Sequence, residues 1–476
     1  MLTSVLMPLL LGILPAQAPI HAMDAERHQA IPSVLDRKVF ELRDGELQVP
    51  ATERFNRTIY GYYPYWADHD DNLPWEHLTH LAYFCVALNP DGTLGDDHSW
   101  STRGAALVEA GHSHGVKVLL TVTMFESSEI REVLSTPEKR ARAIDNLLAL
   151  VQEAGGDGIN IDFEFVPAAE PGESPTPKEN FVTFMTDLTT AFHAAIEDSH
   201  VSLATPAIDW GGTYDYDALA LATDGLMIMG YGYHWSGGNP GPVSPVVGGG
   251  IWGSYSLTWT IEDYFTYGGQ ENRDRFILGL PLYGRQWPTT DLNVPGTATG
   301  SGPAKSLAQC DNILSEGKLW DETTSTPYKL FMDGEQPTQL FCEDIESLRA
   351  KFALIESYDL GGVMFWDVGK VNGQHPVWSE ASSTYSIPIA PEEPEPEEPQ
   401  DGTDPASEDV PDPSDASGTE SSVPSDDLTP DASDASGSED GGCQAVQGDA
   451  LWSLLILLGL LNYRRRPAPA ICEALQ

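Results

Sequence analysis

The sequence is poor in positive charge. Twenty-five Lys and Arg stand against 72 Asp and Glu, a formal net charge of -47. A chain this acidic carries no electrostatic footprint for nucleic acid or for an anionic membrane surface. Cysteine is scarce as well, five in 476 residues, and no His and Cys spacing reads as a metal site. Cys310 and Cys342 lie on one long segment and can pair where the compartment is oxidising, whereas Cys85 in "LAYFCVALN" reads as a buried strand thiol. Long apolar runs are missing too. The longest near the C-terminus, within "ALWSLLILLGLLNYRRR", falls short of the roughly 20 residues that a spanning helix wants.

The two ends read as addresses. Residues 1–22 lack Lys and Arg but contain "LLLGIL" followed by "AQA" and "IHA", which suit signal-peptide cleavage after Ala18 or Ala22. Pro19 hinders the first site, so the second is favoured, and the chain is expected outside the cell. Residues 391–442 are Pro-, Ser- and Asp-rich. With 18 acids and no Lys or Arg between 391 and 440, they are expected to form an extended, self-repelling stalk. In the tail, 443–476, "GGC" precedes the apolar run and Arg464, Arg465 and Arg466 follow it. That order resembles myxobacterial-type sorting signals, which are processed and leave a protein on the cell surface. The other reading is a marginal anchor, with the tail in the membrane transiently or stably and the Arg cluster cytoplasmic. Nothing in the pattern asks for an oligomer, and a monomer is expected.

The folded region, roughly 55–390, alternates apolar runs with helical patterns. Eight runs read as strands: 58–66, 78–88, 116–125, 158–166, 201–207, 225–231, 276–284 and 361–369. Helices intervene. Thr136 and Pro137 open one as N-cap and N1 with Gly155 closing it, and Thr176 and Pro177 open the next. Strands that are nearly continuous in apolar character, separated by helices, predict a parallel sheet closed into a (β/α)₈ TIM barrel, with a long insertion between strands 7 and 8.

One strand breaks the apolar rule. "GGDGINIDFEFVP", 155–167, carries Asp157, Asn160, Asp162 and Glu164. Alternate residues of a strand share a face, so Asn160, Asp162 and Glu164 point one way and Ile159, Ile161 and Phe163 the other. Near the C-terminal end of a barrel strand the polar set faces the interior or its mouth, where barrel active sites sit. Carboxylates about 7 Å apart in a confined site do not both ionise cheaply. One of them is therefore a candidate proton donor near neutral pH.

"DGINIDFE" resembles the D-x-x-D-x-D-x-E signature of glycoside hydrolase family 18, the chitinase-type barrels, with Asn160 where most members have Asp. The resemblance runs over roughly 58–370: "GYYPYW" is similar to the family's first strand, "MGYGYHW" (229–235) to its M-x-Y strand, "LGLPLYG" to its seventh and "GGVMFWDVG" to its eighth. In pattern it lies nearer the spore-cortex-hydrolase and chitobiase-like branch than the long-groove chitinases. The resemblance implies a retaining, substrate-assisted hydrolysis of β-1,4-linked N-acetylglucosamine polymers. Glu164 would protonate the leaving oxygen while the substrate's own acetamido oxygen attacks the anomeric carbon. Asp162 would hold the acetamido group, Tyr231 would bond its oxygen, and Trp366 would lie under the sugar. No cofactor or metal enters. Asn160, Asp157, Tyr63, Trp66 and Trp235 are the further substrate-binding candidates, with Trp210 and Trp287 as other rings at strand ends. Gly232 stands where the family commonly has Asp or Asn. Chitin and the glycan of peptidoglycan both fit this reading, and a catalytically silent carbohydrate-binding barrel is the alternative of another class.

Overall fold

The computed structural model describes residues 20–43, 49–67 and 73–388. The chain divides into two units, 1–392 and 393–476. The expected stalk and tail, and most of the expected signal peptide, lie outside the described residues. Among the described residues no helix is long and apolar enough to cross a membrane.

Eight strands close a barrel. They are β1 Thr58–Pro64, β2 His80–Ala87, β3 Lys117–Met124, β4 Gly158–Phe163, β5 His200–Pro206, β6 Gly225–Met229, β7 Phe276–Pro281 and, after an insertion of five further strands, β13 Gly362–Trp366. Neighbours around the barrel run β1-β13-β7-β6-β5-β4-β3-β2, each pair parallel. This is the expected (β/α)₈ barrel, and each predicted strand is present, trimmed by a few residues at its ends. The strands are buried on both faces because helices cover the outside, which is why they read as unbroken apolar runs. Helix Pro137–Ala154 begins where Thr136 accepts from the Lys139 N–H and ends at Gly155, φ 74°. Helix Pro177–Ala195 starts in a reciprocal cap between Thr176 and Glu179. Each cap is worth about 1 kcal/mol.

The insertion between β7 and β13 builds a five-stranded sheet of β8 Tyr283–Pro288, β9 Ala304–Ser306, β10 Leu319–Asp321, β11 Thr326–Asp333 and β12 Gln336–Phe341, ordered β10-β11-β12-β8-β9. Trp287 is fully buried in it and is a core residue, not a sugar platform. Cys310 and Cys342 are joined, 32 residues apart in sequence, as their placement allowed. Closing a loop of that length restricts the unfolded chain by about 4 kcal/mol. Replacing both cysteines by Ser should lower the unfolding free energy by that amount, read as a reduced midpoint in urea; an unchanged midpoint would show that the loop is held without the bond.

Ahead of the barrel, the segment 20–43 is docked on it. Val34 donates to the Tyr65 carbonyl at 2.6 Å, Ser33 Oγ meets the Tyr83 hydroxyl at 2.7 Å, and Val34 and Leu35 are buried. Helix Ile20–His28 lies at the C-terminal ends of β4 and β13, the end of a barrel where active sites are built.

Candidate active site

The alternation read from β4 holds. Phe163 faces outward onto Phe181 and Phe184, centroids 5.9 Å away in both cases, while Asn160 and Asp162 are buried inside the barrel. Glu164 follows immediately after the strand and is 4% exposed. Phe165 then takes φ 66° with its side chain partly in solvent. A bulky residue in the left-handed region is strained, and strain of this kind collects at functional sites.

Glu164, Asp162, Tyr231 and Trp366 converge on one point, and the side chain at that point is His21. Its Nδ1 lies 2.7 Å from Asp162 Oδ2 and its Nε2 2.8 Å from the Tyr231 hydroxyl. Its ring is stacked on Trp366, centroids 3.8 Å apart and planes 26° apart. The N–H groups of Ile20 and His21 donate to the two oxygens of Glu164 at 2.9 and 3.0 Å. The Trp366 Nε1–H donates to Asp24 Oδ2 at 3.0 Å. Beside this centre a cavity of about 120 Å³ is lined by Ile20, Glu164, Trp210, Tyr214, Tyr231 and Gly232 among others.

Burial, and then the adjacent Asp162 charge, push the Glu164 carboxyl up to about 8, with His21 pulling it back. A carboxylic acid in that range is protonated at neutral pH and able to donate. Burial lowers the His21 imidazole, but the charge and hydrogen bond of Asp162, with Glu164 and Asp24 behind them, leave it above its usual value. Burial raises the Tyr231 phenol well above its ordinary range, so it stays a neutral hydrogen-bonding group. His21, Asp162 and Glu164 bring three metal-ligating atoms within 4.8 Å of one another; both His21 nitrogens are already engaged, by Asp162 and Tyr231.

Four expected binding residues are corrected. Asp157 lies at the opposite end of β4, where it bonds His112 at 2.8 Å and accepts from the Val118 N–H at 2.6 Å; it ties strand to helix and is remote from the mouth. Tyr63 faces out of the barrel against Phe40, centroids 6.5 Å apart. The inward ring is its neighbour Tyr62, whose hydroxyl donates to Asn160 at 2.9 Å. Asn160 sits beneath Asp162, its other end donating to Ser202 at 2.9 Å: a support for the centre, not a group that a sugar reaches. Trp66 is at the centre's edge, stacked on His28 and edge-on to Trp366. Trp235 folds over Gly237 and Gly238 and is not part of the cavity wall beside Glu164.

Sequence reading missed Tyr62, which the alternation in "TIYGYYP" could have given, and Tyr214, whose hydroxyl donates to the Phe163 carbonyl at 2.7 Å. It also missed His21, because residues 1–22 were read as an address, and Asp24, which lies between that stretch and the barrel. Gly232 has φ 79°, a conformation that beyond Gly only Asn and Asp adopt with ease. The backbone thus explains why this position would accept the three residue types that the resemblance brings together there.

Residues 58–370 match the family model described as glycosyl hydrolases family 18. The cortical fragment-lytic enzyme of Bacillus anthracis is 25% identical over 305 residues, 61% of this chain and 65% of the relative. Chitotriosidase-1 of Mus musculus is 26% identical over 277 residues, 53% of this chain and 58% of the relative. The chain therefore spans less than two thirds of either relative's length. Among solved structures, the spore cortex-lytic enzyme SleL of Bacillus cereus superposes with a TM-score of 0.57 at 19% identity, over 70% of this chain and 76% of that one. With a family match over most of the barrel and Asp162 and Glu164 of its signature gathered at the mouth, the chain belongs to glycosyl hydrolase family 18.

Proposed function

We propose that the protein hydrolyses β-1,4-linked N-acetylglucosamine polymers by substrate-assisted, retaining catalysis. The observation that carries this reading is the convergence of Glu164, Asp162 and Tyr231 over the face of Trp366. Glu164 donates its proton to the glycosidic oxygen as the bond to the anomeric carbon breaks. The acetamido oxygen of the same sugar attacks that carbon from the opposite face, closing an oxazolinium ring. Asp162 accepts from the acetamido N–H and stabilises the positive charge, Tyr231 bonds the acetamido oxygen, and Trp366 supports the ring. Glu164, now ionised, activates the water that opens the oxazolinium and regains its proton. Export to the cell surface fits this reading and draws support from the disulfide and the acidic surface.

Chitin and the glycan strand of peptidoglycan both offer the acetamido group. Relatives of both kinds accompany the match, and the Asn160 pattern leans toward the cortex-lytic branch. The test is turnover of chito-oligosaccharides beside purified peptidoglycan, with products identified by mass, on a chain whose His21 has been replaced by Ala so that the centre is open. Turnover of neither would favour the silent carbohydrate-binding barrel.

Gly232 supplies a sharper version of that test. A carboxylate at 232, close to Glu164 across the cavity, disfavours ionised Glu164 and raises its pKa. Gly232→Asp, made in the His21→Ala chain, should therefore extend the alkaline limb of the pH–rate profile upward where the His21→Ala parent is already active. Loss of turnover with the limb unmoved would mean that the side chain only crowds the cavity. Activity found in the His21→Ala chain only when it also carries Gly232→Asp would make the natural protein a binding module.

A further inference from the structure

The N-terminal helix occupies the centre in a chemically specific way. On the mechanism proposed above, the site must stabilise a flat, five-membered, positively charged ring whose N–H meets Asp162. The His21 imidazole is a flat five-membered ring, stacked at 3.8 Å on Trp366. It presents Nδ1 to Asp162 and Nε2 to Tyr231, and its surroundings favour the protonated form. The backbone adds to this, since two N–H groups at the start of the helix take both oxygens of the proton donor. Farther along, Asp24 takes the Trp366 indole N–H and His28 covers Trp66, centroids 4.8 Å apart. His21 is fully buried and Asp24 7% exposed, so no sugar shares the centre with them. A helix that merely rested on the barrel would not engage four groups of the site at once.

We propose that residues 20–28 are a built-in inhibitor of the active site, in which His21 stands in for the oxazolinium ring, and that the enzyme turns over only when this segment leaves. The inference rests on the function proposed above for its chemistry, but the docking itself is tested without activity. The titratable partners facing His21 are Asp162 from β4, Glu164 just after it and Asp24 from its own helix, with Tyr231 and Tyr62 the phenols around it. Because the docked imidazole sits above its usual value of about 6.5, its contribution to docking is complete below that pH and is lost as pH rises through the raised value. Inhibition should therefore weaken toward alkaline pH.

Two measurements decide. In the full chain, backbone amides 20–28 should exchange at least tenfold more slowly with solvent deuterium than those of a His21→Ala variant, whether or not either protein is active. Free exchange of these amides in the unmodified chain overturns the proposal. His21→Ala should also bind chitotetraose at least tenfold more tightly by tryptophan fluorescence and turn it over at least tenfold faster, with the advantage shrinking as pH is raised. A synthetic peptide of residues 20–31 should reverse the gain, and the same peptide with Ala at 21 should not. Equal binding and turnover in the two proteins overturn the proposal. Slow exchange with no binding or turnover in either protein would leave the docked segment standing and remove the assigned substrate. Intact mass of the exported protein adds a further check: the inhibitor role requires that residues 20–28 stay on the chain, as cleavage after Ala18 would leave them, whereas cleavage after Ala22 gives a mature chain beginning at Met23 that lacks Ile20 and His21 and overturns the role.

Discussion

Glu164→Gln, placed in a chain opened by His21→Ala, should turn over chito-oligosaccharides about 10²- to 10⁴-fold more slowly than the opened parent, the range that a positioned general acid contributes. Binding should persist. The amide keeps the shape of the carboxyl and can still lie beside the glycosidic oxygen, but it has no acidic proton to deliver. The burial and the Asp162 charge that push Glu164 up to about 8 matter only for a group that must arrive protonated at neutral pH. The effect belongs in kcat, with little change in chitotetraose affinity by fluorescence. Turnover within a few-fold of the parent would remove Glu164 from the role and point to another donor.

Asp162→Asn in the same opened chain should cost about 10²- to 10³-fold, the scale on which an aimed electrostatic group acts. An amide can still orient an acetamido group, yet it holds no charge against the cation that forms as the ring closes. The two carboxyl variants should therefore separate when probed with a thiazoline mimic of the intermediate. Glu164→Gln should keep its affinity for it, whereas Asp162→Asn should lose affinity alongside rate. Equal inhibition of parent and Asp162→Asn would mean that the acetamido oxygen is not the nucleophile.

The barrel was legible because its signals are local. Two-sided burial writes continuous apolar strands, and helix ends write Thr-Pro and Gly at fixed places, so "STPEKR" and "EAGG" mark the ends of helix Pro137–Ala154 before any packing is known. Asp162 and Glu164 stood out for the opposite reason, being charges on a strand that should bury none. What failed was parity and depth. Tyr62 and Tyr63 are adjacent and alike, and only the register of β1 sends one inward. Asp157 shares a motif with Glu164, but at about 3.3 Å per residue the strand carries them to opposite ends of the barrel. The His21 contact spans 141 residues to Asp162, and no local pattern encodes a partnership across that separation. The segment's composition pointed instead to export.

A tethered occupant also changes what an affinity measurement means. The occupant is held at an effective concentration set by its linker, on the order of millimolar for a short flexible connection, and a free sugar must compete with that at every encounter. If the docked form is 99% of the population, the apparent dissociation constant of any ligand for the centre rises about 100-fold with no change in its contacts. Severing the chain between the helix and the docked Ser33 would let the segment diffuse to its bulk concentration, where it no longer competes, and re-closure would require a collision between separate molecules. The docked helix thus makes the same contacts inhibit strongly in one covalent state and hardly at all in the other, and one peptide bond separates the two.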